Sequence, residues 1–195
     1  MANTPTRKVL IAEDEAIIRL DLKEMLEEEG IEVVGEASDG EAAIRIAKEK
    51  SPDLVIMDIK MPGMDGLTAA ERITEEGIAA VLILTAFSQR DLVQRAAQAG
   101  AMAYLVKPFQ KSDLMPAIDV ALARHAELDA VRKETQDLAE QLETRKVVDR
   151  AKGKLMDEQN LTEADAFRLI QKRAMNERRP MKEIAVGILE GSKEA

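Results

Sequence analysis

The chain has 195 residues, of which 46% are apolar and 33% charged, enough for one large domain or two small ones. It contains no cysteine, which excludes disulfides and thiolate-bound metals. No apolar stretch approaches the ~18 residues of a membrane span, and the first apolar run is too short for a signal-peptide core, so we expect a cytoplasmic protein with no membrane partner.

Strand-like apolar runs alternate with helix-like segments through the first part of the chain. The strands are predicted at 9–12, 31–37, 53–57, 80–84 and 102–106, and the helices begin near Ile17, Asp39, Gly66, Ser88 and Asp113. Such alternation predicts parallel crossovers with helices on both faces of a sheet. The near-continuous apolar strands agree, because such a sheet is covered twice. We therefore predict a doubly wound α/β domain with a five-stranded parallel sheet over residues 1–123, with the second strand at an edge.

The helical pattern continues beyond the point where this domain should end. Apolar residues then follow the 3-4-3-4 spacing of a coiled-coil seam: Leu128, Val131, Thr135, Leu138 and Leu142. This spacing predicts a helical coiled-coil linker over residues 124–143. The alternative is a single amphipathic helix that packs on its own protein.

Three short helices are predicted in residues 144–195, forming a small all-α domain. Thr162 and Asp165 have the spacing of a capping box at the start of the second helix, and Pro180 suits the first turn of the third. The predicted apolar faces are Val147, Val148, Ala151 and Leu155 in the first helix, Ala166, Ile170 and Ala174 with a buried Phe167 beside them in the second, and Ile184, Ala185, Ile188 and Leu189 in the third.

Charge is unevenly distributed along the chain, with an acidic N-terminal part and a locally basic C-terminal part. The net charge is −9, and residues 1–123 account for all of it, with 13 basic against 22 acidic residues. Residues 144–182 hold 11 basic and 6 acidic residues, a net charge of +5. Two basic clusters are candidates for phosphate contacts: Arg145, Lys146, Arg150, Lys152 and Lys154, and then Lys172, Arg173, Arg178, Arg179 and Lys182. Any one of these side chains could instead belong to a solvated helix face.

Polar side chains follow four of the five predicted strands. Glu13 and Asp14 come after the first strand, Asp58 after the third, Thr85 after the fourth and Lys107 after the fifth. Ligands of open parallel sheets bind beyond the carboxyl ends of the strands, so these groups should meet at one edge. Each of them alone would more often be a cap or a solvated side chain, and only their joint placement favours a site.

The charges of this group indicate its chemistry. Three close carboxylates call for a cation, and oxygen ligands with room for water suit Mg²⁺. Asp58 could then attack a phosphoryl donor and form an acyl phosphate. Lys107 would balance the phosphoryl oxygens, and the Thr85 hydroxyl could donate a hydrogen bond to them. A cis Lys107–Pro108 bond could fix where the lysine points.

The motifs "LIAEDE", "DLVIMDIKMPGMDG", "LTAF" and "YLVKPF" resemble the receiver domain of two-component response regulators. The resemblance implies that Asp58 accepts phosphate from a sensor histidine kinase. It also implies Mg²⁺ on Glu13, Asp14, Asp58 and the backbone carbonyl of Lys60. Thr85 and Tyr104 match the switch pair of the family, and Glu13 stands where many members carry aspartate.

Residues 143–185 resemble the ANTAR domain, a three-helix RNA-binding module of antitermination regulators. The two resemblances together are those of the actinobacterial phosphorylation-dependent antitermination regulators, which implies binding to RNA stem-loops. The tail beyond His125 has no histidine or cysteine and no convergent acid–base cluster, so we expect no enzymatic output. Pairing of two tails on phosphorylation or RNA binding would make a homodimer. A DNA-binding or protein-binding helical output is the alternative, although Glu163 and Asp165 open the helix that would have to meet DNA.

Overall fold

The computed structural model describes residues 6–86 and 90–191, without the side chains of residues 90–93. The chain divides into two compact units, Met1–Asp129 and Ala130–Ala195. The strands are β1 Lys8–Ala12, β2 Glu32–Ala37, β3 Leu54–Asp58, β4 Ala80–Thr85 and β5 Ala103–Val106. The helices are α1 Ala16–Glu28, α2 Gly40–Lys50, α3 Gly66–Glu75, α4 Arg90–Gln98, α5 Lys111–Gln159, α6 Glu163–Glu177 and α7 Met181–Glu190.

The first unit is built on the predicted sheet. Its five strands have the order β2-β1-β3-β4-β5 and every pairing is parallel, which confirms the doubly wound fold and places β2 at an edge. The inner strands β3 and β4 are buried along their whole length, as expected of strands covered on both faces. The sheet therefore brings the carboxyl ends of β1, β3, β4 and β5 to one edge.

Two hydrophobic clusters cover the two faces of this sheet. The first packs α2, α3 and α4 on one face, through residues such as Ala43, Ile73 and Ala96. The second packs α1 and the start of α5 on the other, through Leu22 and Leu114 among others.

Local sequence signals explain several helix starts, and the structure differs from two of the sequence predictions. Asp39 accepts a hydrogen bond from the backbone of Ala42 and so caps α2. Ile17, predicted on the apolar face of α1, is 78% exposed, because Leu22 and Leu26 fill the space against the sheet. Pro180 lies just before α7 and not in its first turn. The predicted cap at Ser88 lies outside the described residues.

Helix α5 is 49 residues long and runs through the predicted linker without interruption. The first helix of the tail is therefore not a separate short helix but the end of α5. The reason is local, since no glycine or proline stands between residues 117 and 152 to end the helix. The predicted seam remains exposed, with Val131, Leu138 and Leu142 each 55–59% accessible. An intermolecular coiled coil remains a prediction.

The second unit has its own small core. The end of α5 packs with α6 and α7 through Val148, Ala151, Leu155, Ala166, Ile170, Ala174, Ile184 and Ala185. Thr162 caps α6 through a hydrogen bond from the backbone of Asp165, as its spacing predicts. Ile188 and Leu189 are only partly buried against this core. Phe167 is 41% exposed, so the prediction that it is buried is wrong.

Candidate functional site

Three carboxylates meet at the edge of the sheet where β1 and β3 end. Glu13 follows β1 directly and is fully buried, Asp58 is the last residue of β3 and is 6% exposed, and Asp14 is exposed. One oxygen from each of these three residues lies within 4.8 Å of the other two. The structure therefore brings together the acids that the sequence placed at this edge.

Lys107 places its ammonium group between two of the acids. Its Nζ atom lies 2.6 Å from Oε2 of Glu13 and 2.9 Å from Oδ1 of Asp58. Burial raises the pKa of Glu13, as does the charge of Asp58, and the hydrogen bond from Lys107 opposes the rise. Burial also disfavours the charged form of Lys107, but its hydrogen bonds to Glu13 and Asp58 prevail and raise the pKa of the lysine. The Lys107–Pro108 bond is cis, as the sequence suggested.

The backbone around Asp58 fixes its carboxylate. The backbone N–H of Lys60 donates to Oδ2 of Asp58 at 3.0 Å, while Oδ1 faces Lys107. Gly66 opens α3 directly against this strand end, and its N–H donates to the carbonyl of Ile59. A Cβ atom on Gly66 would lie 1.8 Å from the carbonyl oxygen of Asp58, so only glycine fits there. The metal-ligand role predicted for the Lys60 carbonyl remains a prediction.

Charged side chains on α1 and β2 form hydrogen bonds that reach the backbone of Glu13. The sequence did not predict this contact. Arg19 donates to the backbone carbonyl of Glu13 at 2.5 Å and to the Glu36 carboxylate at 3.2 Å. Lys23 donates to the other oxygen of Glu36 at 2.9 Å. No site residue was predicted on the second strand. Through Glu36 and Arg19 it orients the segment that carries Glu13 and Asp14.

The two predicted switch residues occupy different environments. Thr85 ends β4 and is 3% exposed, and its carbonyl accepts a hydrogen bond from the backbone of Lys107 at 2.8 Å. Tyr104 lies on β5 and is 49% exposed. Thr85 thus adjoins the lysine of the site, whereas Tyr104 stands outside the carboxylate cluster with its ring half in solvent.

The basic residues of the second unit fall into two groups. Lys152 lies 2.7 Å from Asp149 and 2.8 Å from Glu163. Lys154 donates to the last carbonyls of α7, those of Ile188 and Leu189, at 2.8 and 3.0 Å. Arg179 pairs with Glu183 and Glu177, and Lys146 lies 4.0 Å from Glu143. Lys152, Lys154 and Arg179 are therefore already engaged within their own unit.

The other group is accessible. Within the described part of the chain, the exposed side chains of Arg150, Lys172, Arg173 and Arg178 make no hydrogen bond or ion pair. Arg145 is also exposed. The hydrogen bond from Lys152 lowers the pKa of Asp149, and the charge of the nearby Arg145 acts in the same direction. The clusters predicted from the sequence thus contain both structural cations and unpaired cations, and the sequence alone did not separate them.

Comparisons with known proteins account for both units. The family model for the response regulator receiver domain matches residues 9–119, and the model for the ANTAR domain matches residues 136–189. The transcriptional regulatory protein PdtaR of Mycobacterium tuberculosis is 58% identical over 184 residues, which cover 94% of this chain and 90% of the relative. The chemotaxis protein CheY of Bacillus subtilis is 43% identical over 59% of this chain and 97% of its own.

Solved structures resemble the first unit. The receiver domain of the putative response regulator NarL from Mycobacterium tuberculosis has a TM-score of 0.58 at 30% identity, covering 61% of this chain and 98% of its own. A complex of CheX, CheY, BeF3 and Mg²⁺ from Borrelia burgdorferi has a TM-score of 0.55 at 29% identity, covering 57% of this chain and 86% of that one.

The relative PdtaR, whose match spans both units, is a transcriptional regulatory protein. Among the described residues, no helix combines the length and the apolarity needed to cross a bilayer. The two domain matches and the relative at 58% identity indicate the same protein family. The chain is a two-component response regulator in which a receiver domain is followed by an ANTAR domain.

Proposed function

We propose that Asp58 accepts a phosphoryl group from a sensor histidine kinase, and that this modification controls RNA binding by the ANTAR domain in transcription antitermination. The observation that carries the first half is the meeting of three carboxylates within 4.8 Å of each other, with the Lys107 ammonium 2.9 Å from Asp58. Such an arrangement is costly to fold, because like charges repel and burial penalises each of them. An arrangement with this energetic cost is expected where the carboxylates have a chemical role.

A divalent cation fits this donor set. Three carboxylates and one ammonium leave a formal charge of −2, which one Mg²⁺ ion would neutralise. Glu13, Asp14 and Asp58, together with the carbonyl of Lys60, offer the oxygen ligands that Mg²⁺ prefers, and the exposure of Asp14 leaves room for water. When bound, the ion would neutralise charge on the transferring phosphoryl oxygens. The similar CheY complex that contains BeF3 and Mg²⁺ supports this assignment.

The nucleophile is a carboxylate oxygen of Asp58. It attacks the phosphorus of the kinase phosphohistidine, a P–O bond forms, and the P–N bond breaks as the imidazole nitrogen leaves with its electron pair. Lys60 and Lys107 hold the two oxygens of Asp58, so the attacking group is oriented before the donor arrives. The Lys107 ammonium then stabilises the charge of the phosphoryl oxygens.

Thr85 and Tyr104 couple the phosphorylation of Asp58 to a change in the surface of the receiver domain near β5. The phosphoryl group on Asp58 draws the Thr85 hydroxyl toward it, and the Tyr104 ring moves into the space that Thr85 vacates. The starting positions suit this sequence, because Thr85 is buried at the site and Tyr104 is half exposed. A phosphoryl group shifts the equilibrium only by the amount that it stabilises the second arrangement over the first.

The output is RNA binding by the unpaired cations of the ANTAR domain, Arg150, Lys172, Arg173 and Arg178. Exposed cations without partners contact phosphate at little cost, because no internal ion pair has to break. The exposed seam of Val131, Leu138 and Leu142 offers a route to a homodimer. Two ANTAR domains held together would gain affinity for paired stem-loops through effective concentration.

Intact-mass measurement tests the phosphorylation step. After incubation with acetyl phosphate and magnesium, the wild-type chain should gain the mass of one phosphoryl group, and Asp58→Asn should gain none. Asp119→Asn is the matched control, because Asp119 is exposed and pairs with Arg7 away from the site. Label that persists in Asp58→Asn would refute the assignment.

A gel shift tests the control of RNA binding. Phosphorylated wild-type protein should bind an RNA with two adjacent stem-loops more tightly than Asp58→Asn treated in the same way. Equal affinity of the two proteins would show that phosphorylation does not gate the output. Duplex DNA competing as well as stem-loop RNA at matched salt would favour a DNA-binding output, and an affinity that salt does not change would favour a protein partner.

A further inference from the structure

One groove of the ANTAR domain is lined by the domain's only aromatic side chain. The groove has a volume of about 600 Å³ and lies between the end of α5, the first turns of α6 and the start of α7. Phe167 is 41% exposed into solvent beside Val148 and Met181, which form the apolar part of the lining. A small domain that leaves its one aromatic residue accessible departs from the usual burial of phenylalanine.

The rim of the groove carries carboxylates. Asp137, Glu140 and Asp149 line it together with Arg145 and Lys152. Lys152 is already committed to Asp149 and Glu163. The hydrogen bond from Lys152 lowers the pKa of Asp149, so this acid is ionised and accepts hydrogen bonds. An apolar floor with an aromatic face and ionised acceptors at its edge does not suit phosphate, which the three acids would repel.

We propose that this groove receives one unpaired nucleobase from the loop of the bound RNA, stacked against Phe167. The inference rests on the proposed RNA-binding function and adds to it the part of the RNA that is read. Loop bases are splayed out and stacked on aromatic side chains in most sequence-specific RNA recognition. A base that carries an amino group donates hydrogen bonds to the carboxylates, so adenine, guanine and cytosine fit the rim better than uracil.

One cation of the lining can take part in binding a nucleotide. Arg145 lies on the lining, whereas Arg150, five residues later on α5, projects about 140° around the helix from Arg145 and lies outside it. Arg145 can contact a phosphate beside a base that enters the groove, while the three carboxylates of the lining repel the phosphates from the groove itself. An aromatic surface for the base, carboxylate acceptors for its amino group and an arginine for the phosphate together match a nucleotide.

A second copy of the chain is a poorer occupant. A two-fold dimer contact places the same patch of both subunits face to face. Here that contact would bring two sets of three carboxylates together, and the only cation of the lining without an internal ion pair is Arg145. The cost of apposed like charges argues against it.

A double-mutant cycle between protein and RNA tests the inference. The full-length phosphorylated chain first selects a stem-loop RNA from a pool with a fixed stem and a randomised loop. Each loop nucleotide of the selected RNA is then replaced in turn by an abasic residue. Dissociation constants are measured for the wild type, for Phe167→Leu, which keeps an apolar side chain, and for Phe167→Tyr, which keeps the aromatic face. Arg150→Gln is the control for a contact that does not depend on a base.

We expect one abasic position to weaken binding by the wild type at least about fivefold, the loss that corresponds to a base stack of ~1 kcal/mol. The same abasic position should cost Phe167→Leu almost nothing, while Phe167→Tyr should behave as the wild type and Arg150→Gln should show the full loss. Independent, multiplying losses in Phe167→Leu would overturn the groove assignment and leave RNA binding in place. A wild-type chain that selects no stem-loop over duplex RNA would overturn the proposed function and the groove together.

Discussion

The receiver and ANTAR domains each contain a lysine held between two carboxylates, and the two arrangements differ in burial. Lys107 lies between Glu13 and Asp58, whose side chains are 0% and 8% exposed. Lys152 lies between Asp149 and Glu163, whose side chains are 52% and 71% exposed. The distances are nearly the same in both. Because the carboxylates of the first arrangement are buried, water cannot screen them and their charges depend on the lysine. The exposed carboxylates of the second arrangement make it a weak surface contact.

Removal of each lysine should give the largest difference between the two domains. In Lys107→Met, two buried carboxylates lose their counterion, so the free energy of unfolding should fall by about 3 kcal/mol when divalent cations are chelated. Magnesium should then stabilise this variant more than the wild type, because it supplies the missing positive charge. Chemical denaturation with and without magnesium measures both effects.

Lys152→Met is the matched variant in the ANTAR domain. Water screens the exposed Asp149 and Glu163, so its unfolding midpoint should change much less than that of Lys107→Met. Equal losses in the two variants would mean that burial does not separate the two arrangements.

Two glycines should respond to alanine in opposite directions. Gly66→Ala forces a Cβ atom against the Asp58 carbonyl, so the strand end and α3 must move apart, at a cost of ~2 kcal/mol in the free energy of unfolding. The same shift displaces the Asp58 carboxylate and should slow labelling by acetyl phosphate.

The contrasting position is Gly153 in α5, where a Cβ atom would have nothing within 4 Å. Gly153→Ala should therefore stabilise the chain by about 0.5–1 kcal/mol through helix propensity, without an effect on labelling. Thermal unfolding and intact mass, measured on both variants, check the pair. A neutral Gly66→Ala would mean that the packing around Asp58 can relax.

The sequence predicted that polar side chains meet at one edge of the receiver sheet because this meeting depends on strand order. Each of four apolar runs is followed by a polar residue, and a parallel sheet brings such positions to one edge whatever the helices do. Arg19 could not be found in this way, because its guanidinium folds back from α1 to Glu36 and to the Glu13 carbonyl. Only the tertiary fold places these groups side by side.

The ANTAR domain was less predictable for the same physical reason. Phe167 lies about 100° around α6 from Ala166, at the border of the apolar face, where the neighbouring helices decide whether a side chain is covered. The partners of Lys154 are backbone carbonyls more than 30 residues away. A count of basic residues contains no information about such partners, so paired and unpaired cations look alike in the sequence.

Two variants of the ANTAR domain should separate these kinds of cation. Arg178→Gln removes an exposed cation without a partner, so RNA affinity should fall for all stem-loops alike and the slope of log affinity against log salt should shrink by about 1. Lys154→Gln removes the donor to the last carbonyls of α7, so it should lower the melting temperature and leave the salt slope unchanged. Salt titrations of RNA binding and thermal melts provide the two readouts, and identical salt slopes for Arg178→Gln and the wild type would contradict the assignment.

The smallest effect should come from Glu36, which forms exposed ion pairs within the receiver domain itself. The hydrogen bond from Lys23, with a further contribution from Arg19, holds the pKa of Glu36 below its ordinary value of 4.5. These ion pairs therefore stabilise the fold fully above that pH, and their contribution is lost as the pH falls through the lowered pKa. In Glu36→Gln, the free energy of unfolding should therefore fall less steeply with decreasing pH in that window. The difference from the wild type should be small, because the Glu36 side chain is 37% exposed and solvent screens its charge. Urea unfolding of both proteins between about pH 3 and 6 measures the change. If Glu36→Gln lowered the free energy of unfolding as much as Lys107→Met, Arg19 and Glu36 would be needed for the stability of the carboxylate site. Their role would then exceed the orientation of the segment with Glu13 and Asp14.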